Sequence, residues 1–181
     1  IEIDAKDPEL FIQTVKAIAP TFGGINLEDI KAPEAFEIES RLKEELNIPI
    51  MHDDQHGTAI ISSAALLNAL EIANKKIEKI KVVVSGAGAS AMSCVKLYRS
   101  LGVMLQNIYM FDSKGLIWKG REGLDKMKKT YAVHEADCSF DDAFKDADVF
   151  LGLSRAGLVS KEMIAAMAKN PIVFALANPE P

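Results

Sequence analysis

The sequence predicts an α/β protein with a doubly wound, mainly parallel sheet, preceded by a helical segment. Two observations carry this prediction. Helices with apolar spacing alternate with short β-branched runs, and a glycine-rich turn separates one such run from the helix that follows it. The size agrees: 181 residues, 49% apolar and 26% charged, are enough for one cored domain with a piece of another attached.

The elements follow in order. Asp7 and Pro8 suit the cap and first position of a helix, and Leu10, Phe11, Val15 and Ile18 supply its apolar face up to Pro20, so a helix is expected over 8–19. Pro33 can open a second helix, with Phe36, Leu42 and Leu46 facing inward, before a short strand over Asn47–Met51. A third helix is expected after His56-Gly57-Thr58, carrying Ile60, Ile61, Ala64, Leu67 and Leu70. Lys81–Ser85 then reads as a buried strand, and Gly86 to Ala91 open a helix reaching Leu101. Further strands are expected at Asn107–Asp112, Val149–Leu153 and Ile172–Leu176. A polar helix is expected over Gly123–Ala132 and another over Lys161–Lys169.

Composition excludes several classes. A formal charge of −5 disfavours nucleic acid and anionic membranes as partners, because both attract basic faces. No run approaches the ~20 apolar residues needed to span a bilayer, and the N-terminus lacks a signal-peptide pattern, so a cytoplasmic location is expected. Cys94 and Cys138 have no disulfide or metal spacing and read as reduced thiols. The chain begins at Ile1 and ends at Pro181 just after an expected strand, as an internal piece would.

Gly86-x-Gly88-x-x-Ala91 fits the dinucleotide pattern G-x-G-x-x-G/A between a strand and a helix, the context of a Rossmann-type fold. The first glycine allows the turn, the second lets backbone approach a pyrophosphate, and the small third residue lets helix and strand pack closely. The helix N-terminus then offers N–H groups to phosphate, with Ser90 adding a hydroxyl. Asp112, 24 residues beyond Gly88 at the end of the next strand, is placed to accept ribose hydroxyls. An acid there repels a 2′-phosphate and favours NAD over NADP, although Lys114 could pair with such a phosphate.

Two acidic pairs stand apart from ordinary surface charge. Glu28-Asp29 lies within the apolar run Phe22–Ile30, and Asp53-Asp54 follows the short strand. Four carboxylates held together need a cation, and an all-oxygen donor set suits Mg²⁺ or Mn²⁺. The spacing His52-x-x-x-His56 raises zinc as a competitor. A zincin needs Glu directly after the first His, where Asp53 stands, and Pro49 disfavours a helix at His52. His134 is isolated and reads as a surface residue.

The runs Phe22-Gly23-Gly24-Ile25-Asn26-Leu27-Glu28-Asp29-Ile30, His52-Asp53-Asp54-Gln55-His56-Gly57-Thr58, Gly86-Ala87-Gly88-Ala89 and Phe174-Ala175-Leu176-Ala177-Asn178-Pro179, in this order, resemble the malic enzymes, particularly the shorter bacterial type. The resemblance implies that residues 1–55 are the C-terminal part of the malic domain and 56–181 an NAD(P)-binding Rossmann domain truncated at its C-terminus. It implies metal ligation by Glu28, Asp29 and Asp54, with Asp53 a neighbouring polar residue. Gly86, Gly88, Ala89, Ser90, Ala91, Asp112 and Ser154 would bind the cofactor, and Asn178 the malate carboxylate or the nicotinamide.

By the same resemblance the reaction is oxidative decarboxylation of malate to pyruvate by a homodimer or larger homo-oligomer. The family's lysine base and tyrosine acid would lie upstream of this chain, since Tyr98, Tyr109 and Tyr131 do not match the acid, and the isolated piece would be inactive. Two other readings stay open: a non-catalytic dinucleotide-binding regulatory module, and a metal-independent Rossmann dehydrogenase. The second leaves Glu28, Asp29 and Asp54 unexplained.

Overall fold

The fold is described from a computed structural model covering residues 1–31 and 33–177. The chain forms two compact units, Ile1–Thr58 and the residues from Ala59 onward.

In the first unit, helix α1 spans Pro8–Ile18. Its start is set by Asp7, whose carboxylate accepts from the Glu9 N–H at 3.1 Å, and by Pro8, which needs no helical partner for its nitrogen. Helix α2, Glu34–Glu45, begins after Pro33. Strands β1 (Ile25–Leu27) and β2 (Ile50–His52) pair in parallel, with Leu27 opposite His52 as the last rung. Ile12, Val15, Leu27, Ile38, Leu42 and Ile50 form the core between these elements. Strand β1 was not expected, because three residues are too few for an alternating pattern to declare itself.

Helix α3, Asp53–Ala73, starts directly after β2 rather than after Thr58 and continues into the second unit. Asp53 and Asp54 in its first turn complement the positive end of the helix dipole. Gly57 fits inside that turn because the Asp53 carboxylate folds over it: a Cβ there would stand 2.2 Å from Asp53 Oδ1. The glycine read as a helix boundary is therefore a space requirement within the helix.

The second unit is built on a five-stranded sheet. Strands β3 (Val82–Ser85), β4 (Ile108–Asp112), β5 (Gly115–Leu116), β6 (Val149–Gly152) and β7 (Ile172–Ala175) lie in the order β5-β4-β3-β6-β7. All neighbours are parallel except the short β4–β5 hairpin. Side chains alternate across β3. Val82 and Val84 pack with Leu66 and Leu70 of α3 and with Val95 and Tyr98 of helix α4 (Ala89–Ser100). Val83 packs on the other side, with residues of the short helices that follow.

Three further helices differ from expectation. The polar helix forms only as α5, Lys126–Lys129, because a lysine-rich segment without a buried face gains too little from packing to extend. Helix α6, Phe140–Phe144, was not foreseen, and it buries Ala143 and Phe144 against Val83 and Phe150. Helix α7, Lys161–Ala165, stops before Lys169, with Asn170 at φ 51 turning the chain into β7. Among the described residues, no helix is long and apolar enough to cross a membrane.

Candidate functional site

After β3 the chain goes to β4 on one side of the sheet and then crosses to β6 on the other. The strand order therefore reverses between β3 and β6, and the C-terminal ends flanking such a switch point are where doubly wound sheets bind their ligands. Gly86 follows β3 there. Its N–H donates to the Phe111 carbonyl at 2.8 Å, and its φ of 120° lies where only glycine is comfortable. A Cβ would also press on the Leu153 carbonyl carbon and oxygen at 3.3 Å.

Gly88 then caps α4 in an extended conformation, with no side chain capping the helix and open space where a Cβ would stand. Ala89 and half-buried Ser90 begin the helix, and Ala91 is buried against the sheet. Backbone N–H groups at an uncapped helix end beside an open glycine fit a pyrophosphate. Ser154, just past β6, is tied to this turn by a 2.6 Å contact between its Oγ and that of Ser85.

Asp112 ends β4 as expected, but its carboxylate is already engaged. Arg121 donates to both oxygens at 2.6 and 2.7 Å, Lys128 donates at 2.8 Å, and the Lys114 N–H donates at 2.9 Å. Four hydrogen bonds from three donor nitrogens fill the roughly four acceptor positions of a carboxylate. Burial pushes the Asp112 carboxyl up, but Lys128, the Lys114 N–H and Arg121 together hold it below its ordinary value. Sequence reading missed Arg121 and Lys128, because nothing in their spacing from Asp112 marks a β-hairpin that folds them back. Arg121 is further fixed by the Gly115 and Leu116 carbonyls, both at 3.0 Å.

In the first unit, Glu28 and Asp29 lie one and two residues past Leu27, and Asp53 and Asp54 one and two past His52, its ladder partner. Both acidic pairs therefore leave the same edge of a parallel ladder. They are less buried than the sequence suggested. Glu28, Asp29 and Asp54 are exposed, because the chain leaves the sheet at these points. Asp29 adopts φ 56, a left-handed conformation that aspartate tolerates better than most residues, and Asn26 Nδ2 donates to Glu28 at 2.9 Å. Among the described residues, no three His, Cys, Asp or Glu side chains already converge as a cluster. The donor chemistry, oxygen only and on adjacent strand ends, nonetheless suits a hard divalent cation.

The two histidines are not a zinc pair on one helical face. His52 is in β2 and fully buried, with neither ring nitrogen hydrogen-bonded, while His56 is in α3 and meets Glu39. Glu39 is the third residue that sequence reading missed. It lies on the buried stripe of α2 with Ala35, Ile38 and Leu42, and an acid at i+4 within an apolar stripe was the available signal. His134 is also not a plain surface residue: it stacks on Tyr109 with centroids 4.1 Å apart, and its Nε2 bonds the Ile108 carbonyl at 2.8 Å. Asn178 lies outside the described residues.

Comparison with known proteins adds names to this geometry. A family model described as "Malic enzyme, NAD binding domain" matches residues 55–181, and one described as "Malic enzyme, N-terminal domain" matches residues 3–43. The chain is 52% identical, over its whole length, to an NADP-dependent malic enzyme of Halomonas elongata, of which it covers 43%. It is 53% identical to an NAD-dependent malic enzyme of Rhizobium meliloti, of which it covers 24%. It superimposes on the crystal structure of an NAD-dependent malic enzyme from Thermotoga maritima with a TM-score of 0.91 and 43% identity, covering all of this chain and 49% of that one. The chain thus spans from about a quarter to half the length of these relatives.

Proposed function

From the premise that the chain belongs to the malic enzyme family, its second unit a Rossmann-type NAD(P)-binding domain, we propose that it serves the oxidative decarboxylation of malate to pyruvate and CO₂. The carrying observation is that both constellations read from the sequence occupy the C-terminal ends of parallel strands. The glycine turn follows β3, and the acidic pairs follow β1 and β2.

In this reading Glu28, Asp29 and Asp54 hold Mg²⁺ or Mn²⁺, with Asp53 folded back over Gly57 rather than reaching toward the cation. When bound, the cation would polarise the malate hydroxyl and carboxylate, and the nicotinamide would accept the hydride. The N–H groups at the start of α4 hold the pyrophosphate, and Gly86, Gly88, Ala91 and Ser154 shape its seat. Asn178 would orient the malate carboxylate or the nicotinamide. The lysine base and tyrosine acid of the family lie outside the matched motifs, and a homo-oligomer acting in the cytoplasm is the expected setting.

Cofactor choice follows from Asp112. With Arg121 and Lys128 bound to it, the acid no longer presents a bare charge to a 2′-phosphate, so NADP⁺ should be accommodated as well as NAD⁺. The relatives carry both names.

The test is malate-dependent formation of NADH or NADPH by the complete polypeptide, with and without Mn²⁺. Turnover should require the metal, and Asp54→Ala should lower kcat/KM by at least about a hundredfold, as loss of a metal-dependent charge stabilisation of several kcal/mol requires. Metal-independent turnover, or an Asp54→Ala variant of parental activity, would sink the proposal.

A further inference from the structure

We infer that Glu39 is a positioning residue for the metal site: its carboxylate clamps His52 and His56, the residues two before and two after Asp54, and so fixes the junction from which Asp54 meets the cation. This inference rests on the metal reading given above.

Glu39 is 6% exposed on α2. Its Oε1 accepts from the His52 backbone N–H at 3.1 Å and from Lys43 Nζ at 2.8 Å. His56 Nε2 stands 3.0 Å from Oε2 and 2.8 Å from Oε1. A carboxylate only accepts, so the His56 ring carries its proton on Nε2. One side chain from another helix thus grips both the end of β2 and the first turn of α3. Asp54 sits midway between the two grips.

Stability does not explain an acid at this position. Its neighbours on the buried stripe are Ala35, Ile38 and Leu42, so a leucine would continue the core. Replacing a whole buried charged pair by well-packed apolar side chains is often neutral or stabilising, although removing Glu39 alone leaves the buried His52 N–H without an acceptor. What leucine cannot do is accept from the His52 N–H and orient His56. Outer partners that orient ligand-bearing segments typically matter by 10–100-fold in metal affinity.

The experiment uses the complete polypeptide and follows Mn²⁺ binding by the loss of the free-ion electron paramagnetic resonance signal. NADP⁺ affinity and the melting temperature in EDTA are measured on the same samples. Glu39→Gln keeps an acceptor for the His52 N–H but not the full set, and Glu39→Leu keeps none. Mn²⁺ binding should weaken about tenfold in the first and toward a hundredfold in the second, with NADP⁺ affinity unchanged in both, while the metal-free melting temperature falls in Glu39→Leu because the buried His52 N–H loses its acceptor. Folded variants that bind Mn²⁺ within about twofold of the parent fall below the expected range and overturn the inference. So does a parallel loss of Mn²⁺ binding, NADP⁺ binding and melting temperature, which would mark a merely structural role.

If Glu39→Leu does not fold, His56→Asn removes one grip at a partly exposed position. Mn²⁺ binding should then weaken severalfold, and unchanged binding overturns the inference. Asp54→Asn separates the two levels. If that variant binds Mn²⁺ like the parent, the metal reading itself has failed, and this inference falls with it.

Discussion

At the scale of single residues, position relative to a strand end decided what could be read. Gly86 was legible because its chemistry is local: a turn with φ 120° needs glycine whatever surrounds it. Asp112 was legible as an acid at a strand end, but its partners were not, because Arg121 and Lys128 reach it only through the β4–β5 hairpin. This cluster makes a pH prediction. The folded Asp112 carboxyl titrates below its ordinary 3.8, so its ion pairs contribute fully above that value and are lost as the pH falls through the lower, folded one. The parent should therefore melt higher than Asp112→Asn at neutral pH, and the two should converge only below pH 3.8. Thermal melts across this range check it, and a difference that vanished near pH 6 would be contrary.

At the scale of elements, helices that bury a long stripe were read well, and those that do not were misread. Helix α1 was found almost to its ends because its cap and apolar spacing agree, whereas α5 and α6 are four and five residues long, below one reliable period of the pattern. The same contrast governs energetics. Leu66, on α3, is fully buried in the main core, so Leu66→Ala should cost about 2–5 kcal/mol by transfer and cavity terms together. Arg41 on α2 pairs with Glu9 and Glu45, but all three side chains are substantially exposed, and water and salt screen such pairs. Arg41→Ala should leave the urea midpoint nearly unchanged. A larger shift from Arg41→Ala than from Leu66→Ala would contradict this ordering.

At the scale of the whole molecule, charge is divided as unevenly as structure. Residues 1–58 carry thirteen acidic and five basic side chains, and the remainder thirteen and sixteen, which gives −8 and +3 within a total of −5. The acidic unit is the one proposed to hold a cation, and the basic unit the one matched as NAD binding. Dinucleotide binding should accordingly weaken with salt, and more steeply for NADP⁺, whose 2′-phosphate would add charge beside Arg121 and Lys128. Titrations at two ionic strengths check this, and equal insensitivity of both cofactors would refute it. By itself the sequence determined the α/β class, the glycine turn, the positions of the principal strands along the chain and the acidic pairs, because each depends on residues adjacent in the chain. Only the tertiary structure decided that Asp112 is saturated by two cations, that both acidic pairs leave one ladder edge, and that Glu39 grips the turn around Asp54. Those facts depend on groups 9–25 residues apart meeting across elements. Chain spacing does not encode such meetings, because it is the packing of apolar faces that brings the elements together.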